Sequence, residues 1–141
     1  MEKNQLKDYK INIKLKLSLL WTSVTLFYLY GDYFELYVPK KVEGLISGDN
    51  LLNNPLNLFI AAILLGIPAI MVLISILAKP IINKWLNIIT GLFFTVIMLL
   101  IAYMSISEWR FFYVCYAIIE SILTAIIAWN AINWPKQSSN I

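Results

Sequence analysis

Three carboxylic acids lie within apolar stretches of this 141-residue chain, where a charge is costly. Asp32 and Glu35 follow a long apolar run, and Glu120 is the one charged residue between Phe111 and Trp134. A charged acid at the centre of a bilayer costs about 2.5–3.5 kcal/mol on insertion scales, so such a residue is a functional candidate by default. For Glu120 we expect a protonated or hydrogen-bonded carboxyl, and a purely structural tie between two helices is an equally open interpretation.

Asp32 and Glu35 end a polar face on the first apolar segment. At 100° per residue, the side chains that share this face are Ser18, Trp21, Thr25 and Tyr28. Lipid cannot satisfy hydrogen-bonding groups, so the face is predicted to point into the protein or into a wet cavity. Two interpretations stay open for the acids: ion pairing at the membrane surface with Lys40, Lys41 or Arg110, and an acidic entrance formed by Asp32, Glu35, Glu43 and Arg110.

A polar cavity is predicted at the depth of Glu120. Helical rise alone places several hydroxyl groups at this level, and the candidate lining residues are Glu120, Thr25, Tyr28, Thr95 and Thr124. Pro68 lies at a similar depth and removes one backbone hydrogen bond, which frees the carbonyl of Leu64.

The elements that must position these residues follow from composition and apolar run length. The chain is 60% hydrophobic and 13% charged, whereas soluble domains carry about 25% charged residues. A helix needs about 20 apolar residues to cross a bilayer. The sequence therefore predicts one membrane domain over residues 1–141, with spans at about 16–38, 56–78, 85–107 and 110–134.

Positive charges predict the orientation of these spans. Eight lysines flank one side and three basic residues, Lys40, Lys41 and Arg110, flank the other. The positive-inside rule then predicts an antiparallel, all-α four-helix transmembrane bundle in the inner (plasma) membrane, with both termini cytoplasmic. Residues 1–14 form a cytoplasmic tail, and residues 39–55 form an outer connection that is interfacial or acts as a lid. Tryptophans are expected at headgroup depth, namely Trp21, Trp85, Trp109, Trp129 and Trp134.

Two further patterns favour packing. Asn87, Gly91 and Thr95 recur every four residues on the third span, and the fourth span carries a ridge of small residues at Ala117, Ser121, Ala125 and Ala128. Small residues let helix backbones approach closely in a membrane.

Catalytic chemistry is hard to assemble from this composition. Histidine is absent, Cys115 is the single cysteine, and no phosphate-binding loop is present. We therefore expect no enzyme, no cofactor and no metal site, although a carboxylate-only cation site using Asp32, Glu35 and Glu43 is conceivable. The net charge of +3 is a topology signal and predicts no nucleic-acid partner. The expected partners are the lipid bilayer and either a second copy or another membrane protein.

The segments Tyr30-Gly31-Asp32, Val42 to Gly48 (VEGLISG) and Lys79-Pro80, together with Glu120, carry a family resemblance. Over nearly everything after residue 15, the chain resembles a family of small bacterial four-span integral membrane proteins of unknown function. Lys40 departs from the pattern, since a glycine often follows Pro39 in the family. The resemblance implies an architecture and a bacterial setting, and it implies no activity.

Two functions fit these observations. The favoured one is a small carrier or an ion- or proton-coupled binding protein, with Glu120 as the buried protonatable group and residues 39–55 as a cover. The alternative is a non-catalytic accessory or assembly subunit of a membrane complex. A membrane enzyme that uses Asp32 and Glu35 as paired acids is a distant third.

Overall fold

The computed structural model describes residues 9–136, so the first eight residues of the predicted tail lie outside the described part. Over the described range the chain is helical and has no strand, which confirms the predicted all-α class. The elements are α1 (Ile13–Glu35), α2 (Lys41–Ser47), α3 (Pro55–Leu77), α4 (Pro80–Met104), a 3-10 turn (Glu108–Arg110) and α5 (Phe111–Ile132).

The helices begin at residues that supply the missing backbone partners of a first turn. The side chain of Asn12 accepts a hydrogen bond from the Lys14 amide at 2.9 Å, and Asn54 accepts one from the Asn57 amide at 2.9 Å. Pro55 and Pro80 occupy first positions, where their lack of an N–H costs nothing. The third span therefore begins at Pro80, five residues before the predicted Trp85, since the apolar run alone does not reveal this start.

The predicted outer connection contains the short helix α2. Lys40, just before this helix, has a φ of 64°, and Gly48, just after it, has a φ of 79°. Both angles lie in the left-handed region that favours glycine. Lys40 therefore occupies a position that glycine would adopt more easily, which gives a physical reason for the glycine expected after Pro39.

Three helical segments are long and apolar enough to cross a membrane: Pro55–Leu77, Pro80–Met104 and Glu108–Ile132. By helix length and composition, the described part of the chain has the character of a membrane protein. Helix α1 is as long as α3, at 23 residues, but it is less apolar because it includes Lys14, Lys16, Asp32 and Glu35.

The four long helices pack as α3–α1–α5–α4, and the contact between α4 and α5 is the most extensive. Gly91 permits this approach, because a Cβ there would lie 3.0 Å from the Thr124 carbonyl oxygen and 3.1 Å from the Ala128 amide nitrogen. On α5, Ala117, Ser121 and Ala128 are buried, as the small-residue ridge predicts, whereas Ala125 is exposed.

Most of the core lies at the end of the bundle where α1 begins and α5 ends, which we call the closed end. Trp21 is 0% exposed there, so its ring packs inside the protein and is not presented to lipid headgroups. Its indole Nε1 donates to Asn87 Oδ1 at 2.7 Å, Asn87 Nδ2 donates to Asn83 Oδ1 at 2.7 Å, and Asn83 Nδ2 donates to the Ser75 carbonyl at 2.7 Å. This tryptophan–asparagine network joins α1, α3 and α4. By contrast, Trp85, Trp109 and Trp129 are exposed.

Lysines complete the closed end by binding the last carbonyls of two helices. Lys14 Nζ donates to the Ala78 carbonyl at 2.7 Å, just after α3, and Lys84 Nζ donates to the Ile132 carbonyl at 3.1 Å, at the end of α5. Cations are favoured at helix C-termini because the last carbonyls carry partial negative charge. These two lysines therefore stabilise the helices in addition to any role in membrane orientation.

Candidate functional site

The opposite end of the bundle, where α1 ends and α5 begins, encloses a small cavity beside Glu120. Glu120 is 4% exposed. The cavity has a volume of about 40 Å³, and a water molecule needs about 10–15 Å³, so it has room for two or three waters. We call it the Glu120 cavity, and its lining residues are Tyr28, Gly31, Asp32, Leu65, Met98, Ile101, Tyr113, Tyr116 and Glu120.

Tyr28 lines this cavity and carries a hydroxyl group that has no hydrogen-bond partner in the described chain. The residue is 9% exposed, and its hydroxyl is one of two buried side-chain atoms in the described chain without a hydrogen-bond partner. Buried polar atoms are nearly always paired with protein or water. The ring is fixed by packing against Phe94 of α4, at a centroid distance of 6.2 Å. The hydroxyl therefore lacks the partner that a buried polar group usually has.

Asp32 lies where three cavities meet. It lines the Glu120 cavity, a partly open cavity of about 660 Å³ that we call the vestibule, and a further cavity of about 240 Å³ beside Tyr113 and Ser105. Leu65 of α3 lines both the Glu120 cavity and the vestibule. Asp32 and Leu65 therefore mark the boundary between the enclosed space and the space beneath α2.

Glu35 is engaged by two cations. Arg110 Nη2 and Lys41 Nζ both donate to its Oε1 atom, at 2.6 Å and 3.0 Å, and Glu35 is 8% exposed. Its Oε2 atom is the second buried atom in the described chain that lacks a partner. The ion-pairing interpretation is confirmed for Glu35 with Lys41 and Arg110. The two ion pairs join the end of α1 to the start of α2, through Lys41, and to the turn before α5, through Arg110.

The three threonines predicted for the cavity do not line it. Thr25 Oγ1 donates to the Trp21 carbonyl at 2.9 Å, and the Thr95 and Thr124 hydroxyls lie 2.8 Å apart at the α4–α5 contact. Thr124 Oγ1 also donates to the Glu120 backbone carbonyl at 2.9 Å. The prediction was wrong for these residues because it used depth along each helix and not the direction in which each side chain points.

Of the predicted cavity residues, the structure brings Glu120 and Tyr28 together. Of the predicted entrance residues, Asp32, Glu35 and Arg110 line the vestibule, whereas Glu43 is exposed on α2 and does not line it. Asp49 lines the vestibule and was missed, since nothing in its spacing distinguishes it. Tyr113 and Tyr116 also line the cavity. Their spacing of seven and four residues before Glu120 predicts that they share its helix face, but they were not among the predicted cavity residues.

In chemical terms the site offers carboxylates, tyrosine hydroxyls and aromatic rings. Within residues 9–136 no group of three or more acidic, cysteine or histidine side chains is arranged to hold a metal ion. The arrangement can accept hydrogen bonds from a cationic donor and can attract that donor to ring faces. It can also hold a proton on a carboxyl that is shielded from bulk water.

Comparison with known proteins assigns the family. The model of a family of unknown function, DUF6326, matches residues 5–140. The chain belongs to this family. The assignment to a family of unknown function confirms that part of the expected resemblance, while the bacterial setting stays a prediction. No curated protein and no solved structure matches the chain.

Proposed function

We propose that the chain is a four-span carrier of the inner membrane, with both termini in the cytoplasm, that couples the binding of a small cationic solute to protonation of Glu120. One observation carries the proposal: Glu120 and Tyr28, whose hydroxyl has no partner in the described chain, line one small cavity that meets a wider one at Asp32. A buried acid with space beside it can exchange a proton for a cation, whereas an acid sealed in tight packing cannot.

Helix α1 is the proposed fourth span. Its polar face is turned inward at Ser18, Tyr28 and Glu35, which are buried, and is exposed at Asp32. On the opposite side, Leu19 and Leu26 are 54% and 48% exposed. An exposed apolar surface of this kind suits lipid. With the lysine-rich side in the cytoplasm, the Glu120 cavity and the vestibule face the outside.

In this proposal each group has a part in the coupling. Asp32 meets a cation in the vestibule, Glu120 receives it and releases its proton to water in the vestibule, and the Tyr28 hydroxyl donates to the carboxylate that remains. Low local dielectric makes each of these interactions stronger than in water. The closed end, sealed by the tryptophan–asparagine network, holds the carrier shut on the cytoplasmic side in this conformation. Release there requires a rearrangement of α1 against α4. No covalent step is involved, so the proposal is of a carrier and not of an enzyme.

The test uses the full chain reconstituted in liposomes that contain a pH-sensitive dye. A pH gradient is imposed, and sodium, potassium, ammonium, methylammonium and choline salts are added in turn. At least one cation is expected to dissipate the gradient with the wild-type chain and not with Glu120→Gln. Glu43→Gln is the matched control, because it also replaces a glutamate but on the exposed face of α2. Equal rates for wild type and Glu120→Gln, with every cation, would remove Glu120 from the mechanism.

A second candidate function is an accessory subunit that binds another membrane protein. The observation in its favour is on α3, where Ala62 and Gly66 are four residues apart and a Cβ at Gly66 would meet no atom within 4 Å. Small residues at this spacing support close helix contacts. Crosslinking in native membranes decides the matter: recovery of the chain alone or only with a second copy would contradict an accessory role.

A further inference from the structure

The Glu120 cavity is better suited to an ammonium group than to a metal ion. Its polar side chains are two carboxylates, of Asp32 and Glu120, and three tyrosines, and the remaining lining residues are glycine and aliphatic residues. An ammonium group has hydrogen-bond donors for such acceptors. It is also attracted to aromatic faces, which the rings of Tyr113 and Tyr116 can present. A calcium ion, in contrast, takes 6–8 oxygen ligands.

The unpartnered Tyr28 hydroxyl is an independent sign of a ligand at this point. The side chain is more than nine-tenths buried, and the hydroxyl has no partner in the described chain. A cluster of acids does not by itself explain why the Tyr28 hydroxyl is buried without a partner, or why there is a cavity beside this residue. A bound polar group in the cavity would satisfy the hydroxyl.

The vestibule has the size and the surface for an apolar body. Its volume is about 660 Å³, within the range of about 300–1,000 Å³ that is usual for small-molecule sites. Among its lining residues are five apolar ones that the Glu120 cavity does not share, namely Leu36, Val38, Leu45, Leu51 and Leu52.

The charges that line the vestibule balance. Three acids, Asp32, Glu35 and Asp49, face three cations, Lys40, Lys41 and Arg110. The vestibule therefore offers no net attraction to a second charge on a ligand.

One occupant accounts for both spaces. Asp32 and Leu65 line each of them, so a charged head and an apolar body would meet at this boundary, with the head against the carboxylate and the body against the leucine. We propose that the site takes an amphipathic organic amine, with its ammonium group between Asp32 and Glu120 and its apolar body in the vestibule. This inference rests on the proposed function and specifies the solute class.

The test measures binding to the full chain in lipid nanodiscs by isothermal titration calorimetry, with empty nanodiscs subtracted. Three probes separate head from body: phenethylammonium carries both, methylammonium carries the head, and 2-phenylethanol carries the same body without charge. Phenethylammonium is expected to bind more than about tenfold more tightly than methylammonium, because a phenyl ring is buried in addition. 2-Phenylethanol is expected to show no saturable binding.

Substitutions test where the ammonium group and the apolar body of the ligand bind. Glu120→Gln is expected to weaken phenethylammonium binding by at least about tenfold, and Tyr28→Phe, which removes only a hydroxyl, by about two- to tenfold. Leu65→Ala is expected to weaken phenethylammonium and to leave methylammonium unchanged. Glu43→Gln and Leu56→Ala are the controls, because neither residue lines a cavity described above. Each variant is first compared with wild type by its elution volume and its thermal unfolding midpoint.

Three results would overturn the inference: equal affinity for phenethylammonium and methylammonium, saturable binding of 2-phenylethanol at similar affinity, or unchanged binding in both Glu120→Gln and Tyr28→Phe. The liposome assay separates this inference from the carrier proposal. Glu120-dependent proton movement driven by an inorganic cation, with no amine binding, would retain the carrier and remove the amine. Amine binding with no proton movement for any solute would retain the amine site and remove the carrier.

Discussion

The closed end of the bundle and the opposite end, which holds the Glu120 cavity and which we call the cavity end, are built from the same four long helices. Buried polar side chains are hydrogen-bonded to one another at the closed end, whereas two of them keep an unpaired atom at the cavity end. At the closed end, Trp21, Asn83 and Asn87 satisfy one another across α1 and α4. At the cavity end, Tyr28 and Glu35 each keep a buried atom without a partner in the described chain. Unpaired buried polar atoms cost stability, so this contrast separates a region that holds the fold from a region that is available to a ligand.

Helix α3 shows the same division within one element. Its buried residues are Pro68, Met71 and Ser75, and none of its residues before Pro68 is buried. The proline lies where the helix passes from the packed end to the uncovered one. Because Pro68 removes one helical hydrogen bond, the preceding part of α3 is less rigidly coupled to the packed part, which suits a wall of a binding cavity.

The largest expected effect lies at the closed end. Asn87→Leu removes the acceptor of the Trp21 indole and the link to Asn83, and it leaves the indole N–H buried without a partner. We expect a loss of about 2–4 kcal/mol in the free energy of unfolding, measured by denaturant titration in micelles. Asn130→Leu is the control, because the Asn130 side chain is more exposed. Equal stability of the two variants would show that the network does not hold this end.

The contact between α4 and α5 gives the second prediction. Gly91→Ala places a methyl group about 3 Å from backbone atoms of α5, so the helices must separate, and we expect a loss of about 1–3 kcal/mol. Gly66→Ala is the matched change on α3, where the space is open. It is expected to stabilise by about 0.5–1 kcal/mol, because alanine favours the helix. Thermal unfolding of both variants would check the pair, and an equal shift in the same direction would contradict it.

A smaller effect is expected at the ion pair of the cavity end. Arg110→Gln removes the 2.6 Å contact to Glu35 and leaves Lys41 in place. Since Arg110 is partly exposed and solvent screens the pair, we expect a loss of about 0.5–1 kcal/mol. A double-mutant cycle with Glu35→Gln isolates the coupling, with Glu43→Gln as the control for the loss of an acid. A coupling energy of zero would mean that this pair does not hold the end of α1 to the turn before α5.

The smallest expected effect gives the most direct test of the difference between the closed end and the cavity end. Tyr28→Phe removes a hydroxyl that has no partner in the described part of the chain, so its loss is expected to leave stability unchanged or to raise it by up to about 1 kcal/mol. Denaturant titration beside Asn87→Leu provides the direct contrast between the two ends. A loss above about 1 kcal/mol would indicate that the hydroxyl is satisfied in the folded protein and is not held for a ligand.

Much of the secondary structure is predictable from this sequence, because run length, prolines and capping asparagines act locally. The four apolar runs correspond to α1, α3, α4 and α5, and the helix ends differ from the predicted span ends by a few residues. The start of α4 at Pro80 and the short helix α2 were missed, since both depend on turns between apolar runs. The candidate site is predictable only in part. Glu120 and Asp32 stand out as acids in apolar surroundings, whereas Thr25, Thr95 and Thr124 are indistinguishable in sequence from hydroxyls that face a cavity.

The sequence by itself determined the all-helical class, the apolar character of the long helices and the family. Only the tertiary structure decided that Trp21 is enclosed, that Glu35 is held by two cations, and that Tyr28, Asp32 and Glu120 share a space. The physical reason is that helix formation depends on neighbours within one turn, while a cavity depends on the rotation of several helices about their axes. That rotation is set by close contacts such as Gly91 against Thr124, between residues that lie far apart along the chain.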